Sequence, residues 1–200
     1  MRRLLPFAAL AALALPASAQ DAAPPARDGI HVVGAWTLTV TDPDGSVVER
    51  REFHNDYVGG AVLPQILSGF LTQGRWQVIF DGAPSLCADS SGSESGCVIR
   101  EPDPDDLEGP QFFDNLVVSS VSEDGAAVLR LLGSAAVTSA GSIMSVRTRH
   151  GVCDGDTAPE SCGASASVGS SPFTYRELTA DALAVEAGQT VNVQVDISFE

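Results

Sequence analysis

Three acidic residues lie between two cysteines in the segment VCDGDTAPESC, and their spacing raises the question of metal binding. The acids are Asp154, Asp156 and Glu160, and carboxylate oxygens are the ligands that Ca²⁺ prefers. Their order departs from that of an EF-hand loop, because Gly155 separates the first two acids and Glu160 comes too early to supply the closing ligand. Two interpretations stay open: a calcium site completed by backbone carbonyls and a second loop, or a solvated loop without an ion.

A second acidic segment, EPDPDDLE from Glu101 to Glu108, alternates proline with carboxylates. Proline disfavours the helical conformation of the residue before it, so we expect the segment to be extended. It is the candidate for the loop that brings further oxygen ligands to Asp154 and Asp156. The alternative is a connector whose charges face solvent.

The four cysteines, Cys87, Cys97, Cys153 and Cys162, allow three disulfide pairings. Two close pairs far apart in the chain favour the local pairing, Cys87 with Cys97 and Cys153 with Cys162. Each bond would close a loop of about ten residues and stabilise the fold by roughly 2.5 to 3 kcal/mol. Zinc is the competing interpretation. Zinc cysteines are typically separated by about two to four residues or accompanied by histidines at fixed offsets, and neither feature occurs in this sequence.

The histidines, His31, His54 and His150, give little support to catalysis. The chain lacks the G-x-S-x-G turn of many serine hydrolases and a glycine-rich phosphate loop. Sugar cleavage would need paired carboxylates, one of them in a dry pocket, whereas most acids here fall in predicted loops and turns. Those in or beside predicted strands are Glu49, Glu52, Glu177 and Asp196. We expect no enzymatic activity, and a secreted hydrolase that uses His54 or His150 is the alternative.

The first 19 residues have the layout of a secretory signal peptide. Arg2 and Arg3 precede an apolar run from Leu4 to Leu15, and the small-residue triplet Ala17-Ser18-Ala19 follows. We expect cleavage near Ala19, and therefore export to the periplasm or beyond the cell. No later apolar run approaches the roughly 20 residues that a membrane helix needs, so no membrane insertion is expected. Residues 20–29 read as a disordered leader, and residues 30–200 as a single domain.

The charge of the chain excludes several classes of partner and chemistry. Removal of the two arginines in the first 19 residues would take the formal net charge from −15 to −17. Such a chain repels DNA, RNA and anionic membrane surfaces at long range, so no nucleic-acid partner is expected. The sequence contains no lysine, which excludes lysine Schiff bases and the lysine of a phosphate-binding loop.

Most segments after Ile30 alternate apolar and polar residues with a period of two, as half-buried strands do. In AWTLTVT, the residues Trp36, Leu38 and Val40 share one face. The next segment, DPDG from Asp42 to Gly45, matches a type I turn. The clearest strand is TVNVQVDISF, in which Val191, Val193, Val195, Ile197 and Phe199 are predicted to face the core. Further strands are predicted at 47–54, 75–80, 116–122, 126–132, 143–150 and 173–178.

Residues 58–71 differ, because their apolar positions recur with a helical period. We therefore predict an all-β fold, an antiparallel β-sandwich of about eight strands with one short amphipathic helix. The Ser/Gly-rich stretches 88–96 and 163–171 are predicted long loops, where recognition usually occurs on such a scaffold. Aromatic residues that could stack on sugars, if exposed, are Trp36, Tyr57, Trp76 and Tyr175.

Two segments resemble known families. FTYRELTADALAVEAGQTVNVQVDISFE, from Phe173 to Glu200, is similar to the closing strands of tail and surface β-proteins of phages and bacteria. GAWTLTVTDPDGSVVERREFHN, from Gly34 to Asn55, resembles the opening hairpin of uncharacterised secreted bacterial proteins. The resemblance implies a structural or adhesive role. The expected function is a non-catalytic exported module that binds an unknown surface protein or glycan, and the first alternative is a calcium-dependent binding module.

Overall fold

The computed structural model describes residues 32–56, 74–83, 86–87, 96–102, 111–123, 125–152 and 172–199. These residues form an all-β sandwich of two packed sheets. The eleven strands are β1 (Val32–Thr41), β2 (Val47–Asp56), β3 (Gly74–Ala83), β4 (Gly96–Arg100), β5 (Phe112–Phe113), β6 (Val117–Glu123), β7 (Ala126–Ala136), β8 (Gly141–Val152), β9 (Pro172–Glu177), β10 (Leu183–Val185) and β11 (Thr190–Phe199). A single turn of 3-10 helix, Thr179–Asp181, separates β9 from β10.

Sheet 1 contains five strands in the order β2-β1-β11-β7-β6, all of them antiparallel to their neighbours. Its centre is the pairing of β1 with β11, which runs without interruption from Val32 opposite Phe199 to Thr41 opposite Thr190. The two edges of sheet 1 are therefore β2 and β6.

Sheet 2 contains six strands, five of them in the order β10-β8-β3-β4-β5. The sixth, β9, also pairs with β8, next to β10 along the same edge. One pair departs from the predicted antiparallel pattern, because β5 runs parallel to β4. The edge formed by β9 and β10 faces the same side of the sandwich as β2 of sheet 1, and β2 contacts β9 there.

The core lies between the sheets and follows the predicted alternation. Trp36, Leu38 and Val40 of β1 are buried, and the threonines between them are only half-buried. In β11 the same holds for the predicted apolar row with one exception, because Phe199 is 41% exposed. Phe199 is the last residue of β11 and lies opposite Val32 at the end of the sheet.

The hairpin between β1 and β2 is built by the predicted turn. The backbone N–H of Gly45 donates to the carbonyl oxygen of Asp42 at 2.8 Å, which closes the turn around Pro43. Gly45 has a φ of 87°, a left-handed conformation that glycine adopts without a steric penalty. Val40 lies opposite Glu49 and Thr41 lies opposite Val47, so Val48 is an extra residue on β2. The pairing register therefore shifts by one residue there, as at a β-bulge.

All eight predicted strands are present, and three strands were not predicted: β4, β5 and β10. The helix predicted over residues 58–71 lies outside the described residues. Among the residues described, no helix has the length and apolar character needed to cross a membrane.

Cys87 and Cys97 form a disulfide with Cα atoms 5.1 Å apart, which confirms the first predicted pair. The predicted bond between Cys153 and Cys162 lies outside the described residues. Both bonded cysteines are buried, and Leu86 beside them is fully buried as well. The disulfide therefore belongs to the hydrophobic core at one end of the sandwich, hereafter the disulfide end.

Candidate binding cleft

The acids predicted to bind calcium, Asp154, Asp156 and Glu160, lie outside the described residues. Within the described ranges, no group of three or more histidines, cysteines, aspartates and glutamates is placed so that it could hold a metal ion. The calcium site thus stays a prediction from the sequence.

Glu101, the first acid of the second acidic segment, is attached to the start of β3. Its Oε2 accepts a 2.6 Å hydrogen bond from the backbone N–H of Trp76, and its own N–H donates to the carbonyl of Trp76 at 3.3 Å. Burial raises the pKa of the Glu101 carboxyl above its usual value. Arg75 donates to the carbonyl of Pro102 at 2.6 Å. These contacts fix the start of the segment to sheet 2.

The two acidic segments leave sheet 2 from the same end. Arg100 at the end of β4 lies opposite Gln77 of β3, and Gln77 lies opposite Arg149 of β8 on its other side. Strands β4 and β8 therefore flank β3, and neighbouring strands in a sheet lie about 4.8 Å apart. Arg100 and Arg149, near the ends of these two strands, are thus separated by two strand spacings, about 10 Å.

The two histidines within the described residues have opposite environments. His54 is exposed on β2, opposite Ala35 on the outer face of sheet 1. His150 is 1% exposed and lies between the sheets, with neither ring nitrogen in a hydrogen bond. Its ring centroid is 4.7 Å from that of Trp76, and burial lowers the pKa of His150 to about 4. Neither of these two histidines makes a hydrogen bond within the described residues.

Further polar side chains lie at the same end of the core as His150. Thr148, two residues before it, shares a 2.7 Å hydrogen bond with Thr174. The Trp36 ring N–H donates to Asn55 Oδ1 at 2.8 Å, while Asn55 Nδ2 is buried without a partner. We call this region the histidine end of the sandwich.

The aromatic residues considered for sugar stacking are largely inaccessible. Trp36 is 1% exposed and Trp76 is 4% exposed, so neither ring presents a face to solvent. Tyr175 is exposed on β9, and Tyr57 lies outside the described residues.

A cleft of about 540 Å³ opens along the edge of the sandwich where β2 faces β9 and the 3-10 turn. Its floor is apolar, from Phe53 and the buried Leu178, and its walls are charged. The full lining is Glu49, Arg51, Glu52, Phe53, Arg176, Glu177, Leu178, Ala180 and Asp181.

The register of β2 explains why charged side chains point between the sheets. Residues directly opposite each other in an antiparallel pair project to the same face. Glu49 lies opposite the core residue Val40, and Arg51 lies opposite the core residue Leu38. Inward-pointing charges are one way in which an edge strand avoids pairing with other chains. They also make the walls of the cleft polar.

Arg51 bridges the two sheets across this cleft. Its Nε donates to Glu49 Oε1 at 2.6 Å on its own strand. Its Nη1 lies 3.2 Å from Asp181 Oδ2 and also donates to the Asp181 carbonyl, and Nη2 reaches the carbonyl of Ala182 at 3.5 Å. The guanidinium group is thus occupied on both sides, and its role is structural.

Arg176 is the residue of the cleft that is left without a partner. Its position opposite Val146 directs it to the inner face at the open edge. Of the eight arginines in the described part of the chain, it is the only one that makes no hydrogen bond or ion pair.

The carboxylates around Arg176 are already engaged. Glu49 and Asp181 bind Arg51, Glu52 accepts two hydrogen bonds from Arg50, and Glu177 accepts one from the Thr179 hydroxyl. Arg176 therefore supplies the positively charged hydrogen-bond donors of the cleft that remain available to a ligand. A planar guanidinium is suited to bidentate binding of a carboxylate or phosphate.

The sequence predicts Glu49, Glu52 and Glu177 as acids in or beside strands, but it does not distinguish Arg51 or Arg176 from the other arginines. The available signal was the run Glu49-Arg50-Arg51-Glu52, which places charges on both faces of a predicted strand. Comparison of the chain with protein-family models, with curated proteins and with solved structures gives no match. The resemblance to phage and bacterial surface β-proteins stays a prediction.

Proposed function

We propose that this protein is a non-catalytic binding module that works outside the cytoplasm, at the cell surface or in the periplasm. The observation that carries the proposal is the unpaired guanidinium of Arg176 in the edge cleft, among carboxylates that already have partners. A rigid two-sheet scaffold supports such a site because the strands fix the positions of the cleft walls.

The cleft suits a ligand that carries a carboxylate next to an apolar group. The carboxylate would bind Arg176, and the apolar part would cover Phe53 and Leu178. An acidic glycan or an exposed carboxylate of a surface protein has this chemistry. The remaining cleft charges, negative in sum, would disfavour ligands with many anionic groups.

Two features support work outside the cytoplasm. The Cys87–Cys97 disulfide is typical of proteins that mature in an oxidising compartment. The signal-peptide pattern of residues 1–19 predicts export through the secretory pathway.

The proposal is tested by thermal melts with increasing concentrations of a uronic-acid oligosaccharide and of a short peptide with a free C-terminal carboxylate. A ligand that binds only the folded state raises the melting temperature. We expect at least one probe to raise it for the wild type and for Arg50→Gln, but not for Arg176→Gln. Arg50 is the matched control, because it is an exposed arginine of β2 that pairs with Glu52 on the outer face. An equal rise in Arg176→Gln, or no rise with either probe, would contradict the cleft as the binding site.

A calcium-dependent binding module is the second candidate, favoured by the common exit of the two acidic segments from sheet 2. Asp154, Asp156 and Glu160 would be the protein ligands, with acids of residues 101–108 as additional donors. The test is a melt with and without excess Ca²⁺, compared between the wild type and Asp154→Asn/Asp156→Asn. An unchanged melting temperature of the wild type would exclude the ion site.

A further inference from the structure

The two edge strands of sheet 1 are protected from other strands to very different degrees. Strand β2 carries the charged run Glu49 to Glu52 and a register shift near its start. Strand β6 pairs only with β7 among the described residues, and its register is regular from Val117 opposite Leu132 to Glu123 opposite Ala126. From 117 to 122 the strand reads VVSSVS, with neither a charge nor a proline.

Natural sheets usually protect a free edge with charges, proline, a bulge or a covering segment, because its unpaired N–H and C=O groups are a template for another strand. Over these six residues β6 has no charge, proline or bulge, and within the described part of the chain no segment other than β7 pairs with it. Its outer face also exposes apolar side chains, because Val117 is 59% exposed and its partner Leu132 is 39% exposed. The edge thus has the properties of a strand that is covered by a partner.

We propose that β6 pairs antiparallel with β6 of a second copy of this chain, which joins the two five-stranded sheets into one sheet of ten strands. A two-fold axis perpendicular to the sheet keeps the inner faces of both copies on one side. In this arrangement Ser119 lies opposite Ser119 of the second copy. Val117 then lies opposite Val121 of the second copy on the outer face, and Val121 lies opposite its Val117.

This register is favoured by the side chains it brings together. Val117 neighbours Leu132 and Val121 neighbours Val128 on β7. The pairing therefore makes two continuous apolar rows across the junction, each with Leu132 and Val117 from one copy followed by Val121 and Val128 from the other. Cross-strand pairs of β-branched residues stabilise a sheet. Moving the axis by one residue, to Ser120, would place Val117 opposite Glu123 and lose both rows.

Charge favours a second copy at this edge over contacts elsewhere. The chain has a formal net charge of −15, so two copies repel each other across most surfaces. The paired residues of β6 are uncharged, and Glu123 lies beyond the paired region in the Ser119 register. A ladder of about five residues is short for a lasting interface, so we expect a dimer that dissociates on dilution.

The first test measures the oligomeric state by sedimentation equilibrium over a wide range of protein concentration, for the wild type, Val117→Lys and Val48→Lys. Val48 is the matched control, an exposed valine on the other edge strand of the same sheet. We expect a concentration-dependent dimer for the wild type and for Val48→Lys, and a dissociation constant at least tenfold higher for Val117→Lys. A wild type that stays monomeric at all concentrations, or equal dissociation constants for the two lysine variants, would overturn the proposal.

The second test measures the register by oxidation of Ser119→Cys and Ser122→Cys variants. Directly opposed Cα atoms in an antiparallel pair lie about 4.5 to 5.5 Å apart, within the range of a disulfide. The two Ser122 residues of the proposed dimer would be separated by about six residues of strand, roughly 20 Å. We expect a covalent dimer from Ser119→Cys alone. Equal cross-linking of both variants would refute the register, and protection of β6 amides from hydrogen exchange in a monomer would show that the chain's own residues cover the edge.

Discussion

The two ends of this sandwich are closed in different ways. At the disulfide end, the chain segments that connect strands are tied to each other by backbone hydrogen bonds. The carbonyl of Leu86 accepts from the N–H groups of Thr138 and Ser139 and from the Thr138 hydroxyl. The N–H of Val137 donates to the carbonyl of Gln189, the N–H of Gly188 donates to the carbonyl of Val137, and the side chain of Gln189 donates to Asp42 at 2.8 Å. Every one of these groups finds a partner within the end itself.

At the histidine end, polar groups are buried without such partners. Neither nitrogen of His150 is hydrogen-bonded, and Asn55 Nδ2 is likewise buried and unbonded. A buried polar group that loses water without gaining a hydrogen bond costs about 1 to 3 kcal/mol.

The comparison indicates a division of roles between the ends. The disulfide end is closed by a covalent bond and by hydrogen bonds between its connecting segments, while the histidine end contains His150, whose protonation opposes the folded state. Both acidic segments also leave sheet 2 at the histidine end. We therefore expect acid to act on the half of the sandwich that carries these segments, and reduction to act on the other half.

The largest expected effect is a loss of stability in acid, caused by His150. In the unfolded chain this histidine takes up a proton near pH 6.5, whereas in the fold its pKa is lowered to about 4. The free energy of unfolding therefore falls as the pH is lowered from about 6.5 to about 4, and this contribution levels off below that range. The full shift corresponds to about 3 kcal/mol, measurable by urea denaturation at a series of pH values.

The contribution of His150 is isolated by substitution. In His150→Phe we expect the acid-dependent loss to shrink by about 3 kcal/mol relative to the wild type. His54→Gln should leave it unchanged, because that histidine is exposed. Glu101 acts in the opposite direction, since its raised pKa favours the folded state as the pH falls, and it contributes equally to all three proteins. An identical pH profile for wild type and His150→Phe would rule out this assignment.

Removal of the disulfide is expected to lower the free energy of unfolding slightly less than acid does. The Cys87–Cys97 bond joins residues ten positions apart. Closing such a loop stabilises the fold by about 2.7 kcal/mol in the chain-entropy model. We expect Cys87→Ala/Cys97→Ala to lower the free energy of unfolding by about this amount at every pH, leaving the acid-dependent part intact. A changed pH profile in this variant would mean that the two ends are coupled.

The smallest expected effects come from a methyl group added at each end. A Cβ at Gly82, at the disulfide end, would lie 2.8 Å from the Ser142 carbonyl and 2.6 Å from the Leu86 side chain. A Cβ at Gly34, at the histidine end, would lie 2.5 Å from Asn55 Oδ1, a side-chain atom that can rotate away from Trp36. We expect Gly82→Ala to cost about 2 kcal/mol and Gly34→Ala about 1 kcal/mol. The reverse order in thermal or urea denaturation would show that the histidine end is the more rigid one.

The sequence was sufficient to predict the fold class and the long strands, because each of these strands has one buried face. Strand β4 escaped prediction because all five of its residues are buried, so that it lacks the alternation expected of a half-buried strand. Strands β5 and β10 have only two and three residues, too few for any period to be recognised. The alternating row also predicts Phe199 in the core, but the periodicity does not show that burial falls at the last residue of the strand, where the side chain is 41% exposed.

The cleft could be predicted only in part. The inward charges of β2 follow from its register with β1, but the position of β9 opposite β2 depends on how two sheets pack, which no local pattern encodes. No pattern in the sequence distinguishes Arg176 from the other arginines of the chain. Arg176 is available to a ligand because Glu49 and Asp181 bind Arg51 and Glu177 binds Thr179. These pairings depend on the packing of the two sheets and cannot be predicted from the local sequence.

The pairing of β1 with β11 has a consequence for when the protein can fold. These two strands form the centre of sheet 1, yet they are the first and the last of the eleven in chain order. Sheet 1 therefore cannot form its centre until β11 has been synthesised and has emerged, and every earlier stage leaves one edge of β1 unpaired. Folds dominated by such distant pairings are slow, typically taking milliseconds to seconds. The growing chain consequently keeps the centre of sheet 1 unpaired until its last described strand is complete.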